Sequence, residues 1–195
     1  MKVLFCCATY QELKVVKEAI KSLDFKQHLP FEYFCTWVGN YHSLFSLSQY
    51  LSQHGDSSYF LVNIGVCGYC GSSVPCIQGS LIKHIQIQKE EIVPQPFLFA
   101  PLKTIISSEI PVDTLSMVAF ETQKNFVVDM ESYGIEYVAQ KFQIPCLFLK
   151  VPIDQIWEET QHFDYQDALD RLRTHLDYHR LVECILVFLE ETSKL

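Results

Sequence analysis

Arginine is nearly absent. Among 195 residues only Arg171, Arg173 and Arg180 occur, all in one C-terminal stretch. Elsewhere the chain lacks the bidentate fork that suits phosphate. Positive charge is scarce overall, with 15 basic against 23 acidic residues and a net charge of −8. A binder of nucleic-acid backbones wants clustered positive charge, so that class is excluded. No apolar run approaches the ~20 residues of a membrane span, so no membrane partner is expected. Met1-Lys2-Val3-Leu4-Phe5-Cys6-Cys7 reads as a short strand and lacks the longer apolar core and small-residue cleavage site of a signal peptide. Metal-ligand spacing is also thin. Cys67-Gly-Tyr-Cys70 is a single CxxC with no second CxxC or HxxxH to complete a zinc site. Most of the eight cysteines lie in apolar runs, where a thiol acts as a small hydrophobe. Free thiols and the absence of a leader point to a reducing cytoplasm.

What is present is the alternation of an α/β chain. A strand over Val3–Ala8 precedes a helix from Thr9 or Tyr10 to Leu23, with Leu13, Val16, Ile20 and Leu23 on one face. Phe31–Val38 reads as a strand, residues 40–51 as a helix and Ser58–Ile64 as a buried strand. Gly65–Gly79 reads as a loop from its Gly, Ser and Pro content. Ser80–Ile87, Thr104–Ile106, Leu115–Ala119 and Phe126–Val128 are strand candidates, with a proline-bearing irregular excursion over Ile92–Pro101. Met130–Phe142 has helical periodicity, Cys146–Lys150 is a short buried strand, and Asp164–Glu190 reads as one long amphipathic helix. No linker or repeat divides the chain. The expectation is a single α/β domain with a mixed sheet.

In such sheets ligands gather beyond the carboxyl ends of the strands. Glu12, Asp129, Glu131 and Asp154 each stand just after an apolar run. A carboxyl against a low-dielectric wall gains proton affinity and can act as a general acid, while an ionised neighbour activates water. That division of labour suits cleavage of a glycosidic bond. Each residue also has a plain structural reading. Glu12 sits three residues after Thr9, the capping-box position. Asp129 suits the N-cap of the following helix, with Glu131 at the positive end of its dipole. Asp154 suits a turn after Pro152.

Val128-Asp129-Met130-Glu131-Ser132, followed by Ile144-Pro145-Cys146-Leu147-Phe148-Leu149-Lys150 and Asp154, resembles the nucleoside phosphorylase/nucleosidase superfamily. The likeness is greatest to the branch of methylthioadenosine/S-adenosylhomocysteine nucleosidase and futalosine hydrolase. Met1–Glu12, Asn63-Ile64-Gly65-Val66-Cys67-Gly68, Gln78-Gly79-Ser80-Leu81-Ile82 and Ala119-Phe120 match in the same order. The resemblance implies a three-layer α/β/α sandwich, usually a homodimer, acting on a small purine nucleoside without metal or organic cofactor. It places Glu12 where the attacking water is deprotonated, Glu131 where ribose hydroxyls are gripped, Met130 against the ribose, and Asp154 at N7 of the purine. Phe120 falls at the base-stacking position. Asp129, Val38, Val66, Cys67 and Gly68 line the pocket, and an aromatic over Phe163–Tyr165 covers the 5′ side.

The family's phosphate site draws on arginines near the first turn and the Gly-rich segment. Thr9–Lys14 and Gly65–Pro75 contain none, and Lys14 is their one cation. Hydrolysis is expected over phosphorolysis. Four departures mark the chain. Lys150 stands for an Arg, Ile153 for a Ser, Asp129 for a Glu, and Glu121 for an aliphatic residue beside the base. They suggest a divergent substrate, with a futalosine-type nucleoside leading, methylthioadenosine and S-adenosylhomocysteine close behind, and a non-catalytic nucleoside binder as a further alternative.

Overall fold

The computed structural model describes residues 1–23, 31–54, 58–71, 73–87, 89–112, 126–156 and 164–194. The elements run β1 (Lys2–Cys7), α1 (Tyr10–Lys21), β2 (Phe31–Cys35), α2 (Asn40–Gln53), β3 (Tyr59–Tyr69), β4 (Ile77–His84), β5 (Glu90–Ile92), β6 (Leu102–Ser107), β7 (Phe126–Asp129), α3 (Ser132–Phe142), β8 (Cys146–Gln155), α4 (Tyr165–His175) and α5 (Tyr178–Thr192). These strands form one mixed sheet between two helical layers. One layer packs Val15, Val16 and Ile20 of α1 with Leu172 of α4 and Leu181, Val182 and Ile185 of α5. The other packs Leu47 and Leu51 of α2 with Ile135, Val138 and Ala139 of α3. The expected three-layer α/β/α sandwich is the observed architecture.

The sheet does more than stack in parallel. β1 pairs with β2 and β3, all parallel. β3 also pairs parallel with β8, β8 antiparallel with β4, β4 parallel with β6, and β6 parallel with β7. β7 then returns antiparallel to β3 at Gly68 and Tyr69. Five strands therefore close into a ring. The edge of β3 that β1 occupies as far as Asn63 is taken over by β7 at Gly68. Between those points the two strands part, and an opening is left where the parallel strands end.

Three expectations from sequence are corrected here. The Gly-rich stretch is not loop from Gly65: β3 runs on to Tyr69, because Val66 to Tyr69 find partners in Val151 to Gln155 of β8. Pairing on both edges outweighs the weak strand preference of glycine. At Gly68 a side chain is excluded outright, since a Cβ would lie 2.9 Å from Ile156 Cγ1. Likewise β8 runs through Asp154, which is a strand residue and not a turn residue. The long C-terminal helix is two helices. Leu176 is extended and buried, and the Asp177 side chain accepts from Arg180 N–H to cap α5. The Tyr178 hydroxyl donates to Leu172 O in the last turn of α4. Among the described residues no helix is long and apolar enough to cross a membrane. The strand candidate over Leu115–Ala119 lies outside the described residues.

Candidate active site

A cavity of about 390 Å³ fills the opening between β1 and β7. Its walls are largely aliphatic, from Ala8, Val38, Val66, Val128, Ile153 and Ile156. Glu12, Asp129, Glu131 and Asp154 project into this apolar surround, together with Thr9, Met130, Cys67, Gly68 and Tyr165. Ten of the thirteen residues singled out in the sequence thus line one cavity. Phe120, Glu121 and Phe163 lie outside the described residues. Sequence reading missed Ile110, Pro111 and Val112, which complete one wall. They follow β6 and are themselves apolar, with no catalytic residue type among the three to draw notice.

Glu12 completes the capping box and also lines the cavity. It is the third residue of α1, and its carboxylate Oε2 accepts the Thr9 N–H and the Thr9 hydroxyl, each at 3.0 Å. Its own N–H donates to Thr9 Oγ1 at 3.2 Å, completing a capping box. The same carboxylate is 3 % exposed, and Oε1 accepts the Val66 N–H at 3.3 Å. Burial raises its proton affinity above the ordinary carboxylate range, against the opposing pull of Thr9 and Lys150.

Glu131 stands at the N-cap position of α3 but makes no side-chain cap bond. Its carboxylate instead crosses to α2, where Oε1 accepts the Gly39 N–H at 3.2 Å. Gly39 has φ of 100°, a left-handed conformation that glycine adopts without a Cβ clash, and this turns its N–H toward Glu131. Burial, with Asp129 beside it, pushes the Glu131 carboxyl up to about 8. The capping expected of Asp129 is made from two residues further back. Asp129 accepts the Ser132 N–H at 3.2 Å and the Ser132 hydroxyl.

Beneath the carboxylates lies Lys150. Its ammonium meets Asp129 Oδ2 at 2.7 Å, with the two side chains 1 % and 0 % exposed. Burial works against the charge on Lys150, yet Asp129 and Glu131 hold it above the ordinary lysine value. Gly65 separates this cation from Glu12: a Cβ there would lie 3.5 Å from Glu12 Oε1 and 3.6 Å from Lys150 Nζ. Asp154 pairs in register with Gly68 across a local irregularity in β3. A Cβ on Gly68 would lie 3.7 Å from Asp154 Oδ1, so the missing side chain leaves this carboxylate its room. Carboxyl groups from three separate parts of the chain, some holding protons and some accepting hydrogen bonds, can between them activate a water and protonate a leaving group.

No family model matches the chain, and no curated protein matches it by sequence. Solved structures do match in fold, and they are nucleosidases of the nucleoside phosphorylase-like class. Futalosine hydrolase of Helicobacter pylori strain 26695, solved as a mutant, superposes with a TM-score of 0.75 at 13 % identity, over 98 % of this chain and 99 % of that one. The 5′-methylthioadenosine/S-adenosylhomocysteine nucleosidase of Streptococcus pneumoniae, in complex with 8-aminoadenine, gives 0.73 at 15 % identity over 97 % and 99 %. That of Campylobacter jejuni gives 0.71 at 13 % identity over 98 % and 99 %. At these identities the likeness is one of fold.

Proposed function

We propose that the protein is an N-glycosyl hydrolase that cleaves the N-ribosidic bond of a 5′-substituted purine nucleoside and releases adenine or hypoxanthine. The observation that carries this reading is the convergence of Glu12, Glu131 and Asp154 on one apolar-walled cavity. Glu12 Oε2 is occupied by two Thr9 donors, while Oε1 takes one long bond from Val66 and keeps lone-pair capacity for a water proton. The water oxygen bonds to the anomeric carbon as its proton passes to Glu12. The carbon–nitrogen bond breaks, its electron pair goes to the purine, and Asp154 delivers a proton to N7. Glu131 accepts from the ribose hydroxyls with Met130 packed beside it. Each acid or base role is worth roughly 10²–10⁴ in rate.

Water is favoured over phosphate as the nucleophile. No arginine lines the cavity among the described residues, and the one lysine beneath it is committed to Asp129. Lys14 points to solvent beside Glu18. Within this class we favour aminofutalosine or futalosine, in menaquinone biosynthesis, over methylthioadenosine and S-adenosylhomocysteine. Solved structures of both kinds share the fold equally, each with a TM-score of 0.75, so the choice rests on the departures at Glu121, Lys150 and Ile153. A cytoplasmic homodimer goes with this reading. Ile92 and Leu98, 79 % and 66 % exposed, are apolar surface that a second copy would cover while closing the 5′ side.

The test is chromatography of free base. The protein is incubated separately with methylthioadenosine, S-adenosylhomocysteine and aminofutalosine in phosphate-free buffer. Base release is expected, lost in Glu12→Gln and in Asp154→Asn with the fold intact. Release only on adding phosphate, or full activity in either variant, would overturn the assignment.

A further inference from the structure

The Tyr165 hydroxyl lies 2.6 Å from Thr9 Oγ1, joining the first residue of α4 to the residue that caps α1. Thr9 Oγ1 is also 3.0 Å from Glu12 Oε2 and accepts the Glu12 N–H at 3.2 Å. The donors around this oxygen can be assigned by counting. A hydroxyl has one proton to give. If Glu12 is ionised, Oε2 can only accept, so Thr9 must spend its proton on Glu12. Tyr165 must then donate to Thr9. If Glu12 is protonated on Oε2, it can donate to Thr9, and Thr9 is released to donate to Tyr165. The two directions of the chain correspond to the two charge states of Glu12.

We propose that Tyr165 and Thr9 form a hydrogen-bonded relay that orients the Glu12 carboxylate and favours its ionised form, making both of them positioning residues for the water-activating step. The inference rests on the role proposed for Glu12. It adds a reason for the contact between α4 and α1 that packing alone does not supply. A capping box needs only Thr9 and Glu12; Tyr165 reaches it from 156 positions away. The relay also leaves Glu12 Oε1 for the water, because both Thr9 donors are held on Oε2.

Other charged and titratable groups act on Glu12 from every side. Lys150 of β8 favours its ionisation. Glu131, Cys7 of β1, Cys35 of β2 and Tyr178 of α5 are coupled to it electrostatically. All remain when the Tyr165 hydroxyl alone is removed, so none of them confounds the comparison.

The experiment compares wild type, Tyr165→Phe, Thr9→Val and Thr9→Ser. One readout is the acidic limb of kcat/KM against pH. The other is the pH titration of the Glu12 side-chain carboxyl carbon by NMR, assigned with Glu12→Gln. In Tyr165→Phe, Thr9 keeps its bond to Glu12 but loses the donor that polarises it; that cooperative gain, about 10–30 % of a charge-assisted bond, exceeds the gain in the neutral reversed chain, so both should move upward by a few tenths of a unit. The loss of kcat/KM should be greatest below the limb. Thr9→Val should shift at least as far, and Thr9→Ser should restore the wild-type position. Thr9→Val also weakens the helix cap, which is why Tyr165→Phe, with the cap intact, carries the decision. A Tyr165→Phe limb and titration that coincide with wild type would overturn the relay. If the wild type releases no base from any nucleoside, the hydrolase reading fails, and the carboxyl titration alone still decides the relay.

Discussion

Lys150→Met is the substitution whose consequence the structure fixes most tightly. The ammonium and the Asp129 carboxylate meet at 2.7 Å with both side chains essentially out of water. Methionine keeps the length and much of the volume of the stem, so little cavity is created. What remains is an anion in the interior that, among the described residues, has only the Ser132 N–H and hydroxyl to hold it. Removing one partner of a buried pair costs roughly 3–5 kcal/mol, because the other charge is left uncompensated. For a chain of this size each kcal/mol lowers Tm by about 2–4 °C, so a fall of roughly 6–20 °C is expected. Neutralising both partners in Lys150→Met/Asp129→Asn should return much of that loss, since the stranded charge is gone. The assay is urea denaturation with the midpoint and the slope read separately, supported by thermal scans. An unchanged slope confirms that the change lies in native stability. A loss below about 1 kcal/mol in the single variant, or a double variant less stable than the single, would refute the reasoning.

Two further outcomes follow from the same region. Glu131 keeps its proton up to about pH 8 in the folded chain, against an ordinary value of 4.5. Between those limits the folded state binds more protons than the unfolded one, so stability should fall as pH rises through that window and level off above it. Glu131→Gln should flatten the slope; denaturation midpoints that rise with pH over this range in the parent protein would contradict it. Gly134→Ala should destabilise by about 1–3 kcal/mol or more, because it overpacks a close helix crossing. Its Cβ would fall 2.3 Å from Asn40 O and 2.6 Å from Ser43 Oγ, forcing α3 away from α2. Since Gly39 and Glu131 are joined across that crossing, calorimetry should show a lower Tm and nucleoside binding should weaken with it.

What the sequence determined by itself is local. The Thr9–Glu12 capping box, the apolar run of β1, the first half of β3 and the face of α1 are properties of neighbouring residues, and each is where the pattern placed it. The Met130-Glu131 motif and the Asp154 position were picked out by resemblance to a known family, not by local pattern. Tertiary structure decided whatever depends on partners distant in the chain. Gly65 to Tyr69 have a loop's composition, but β7 and β8 give them strand partners. Leu176 continues a helical period, yet the core takes its side chain while Asp177 begins a new helix. Lys150 and Asp129 are 21 positions apart in sequence and in contact in the fold. Spacing suggested either a cap or a water-activating base for Glu12. The structure shows the cap and also sets the Glu12 carboxylate in the cavity wall, because α1 begins at the rim of the opening where β1 and β7 part on the edge of β3.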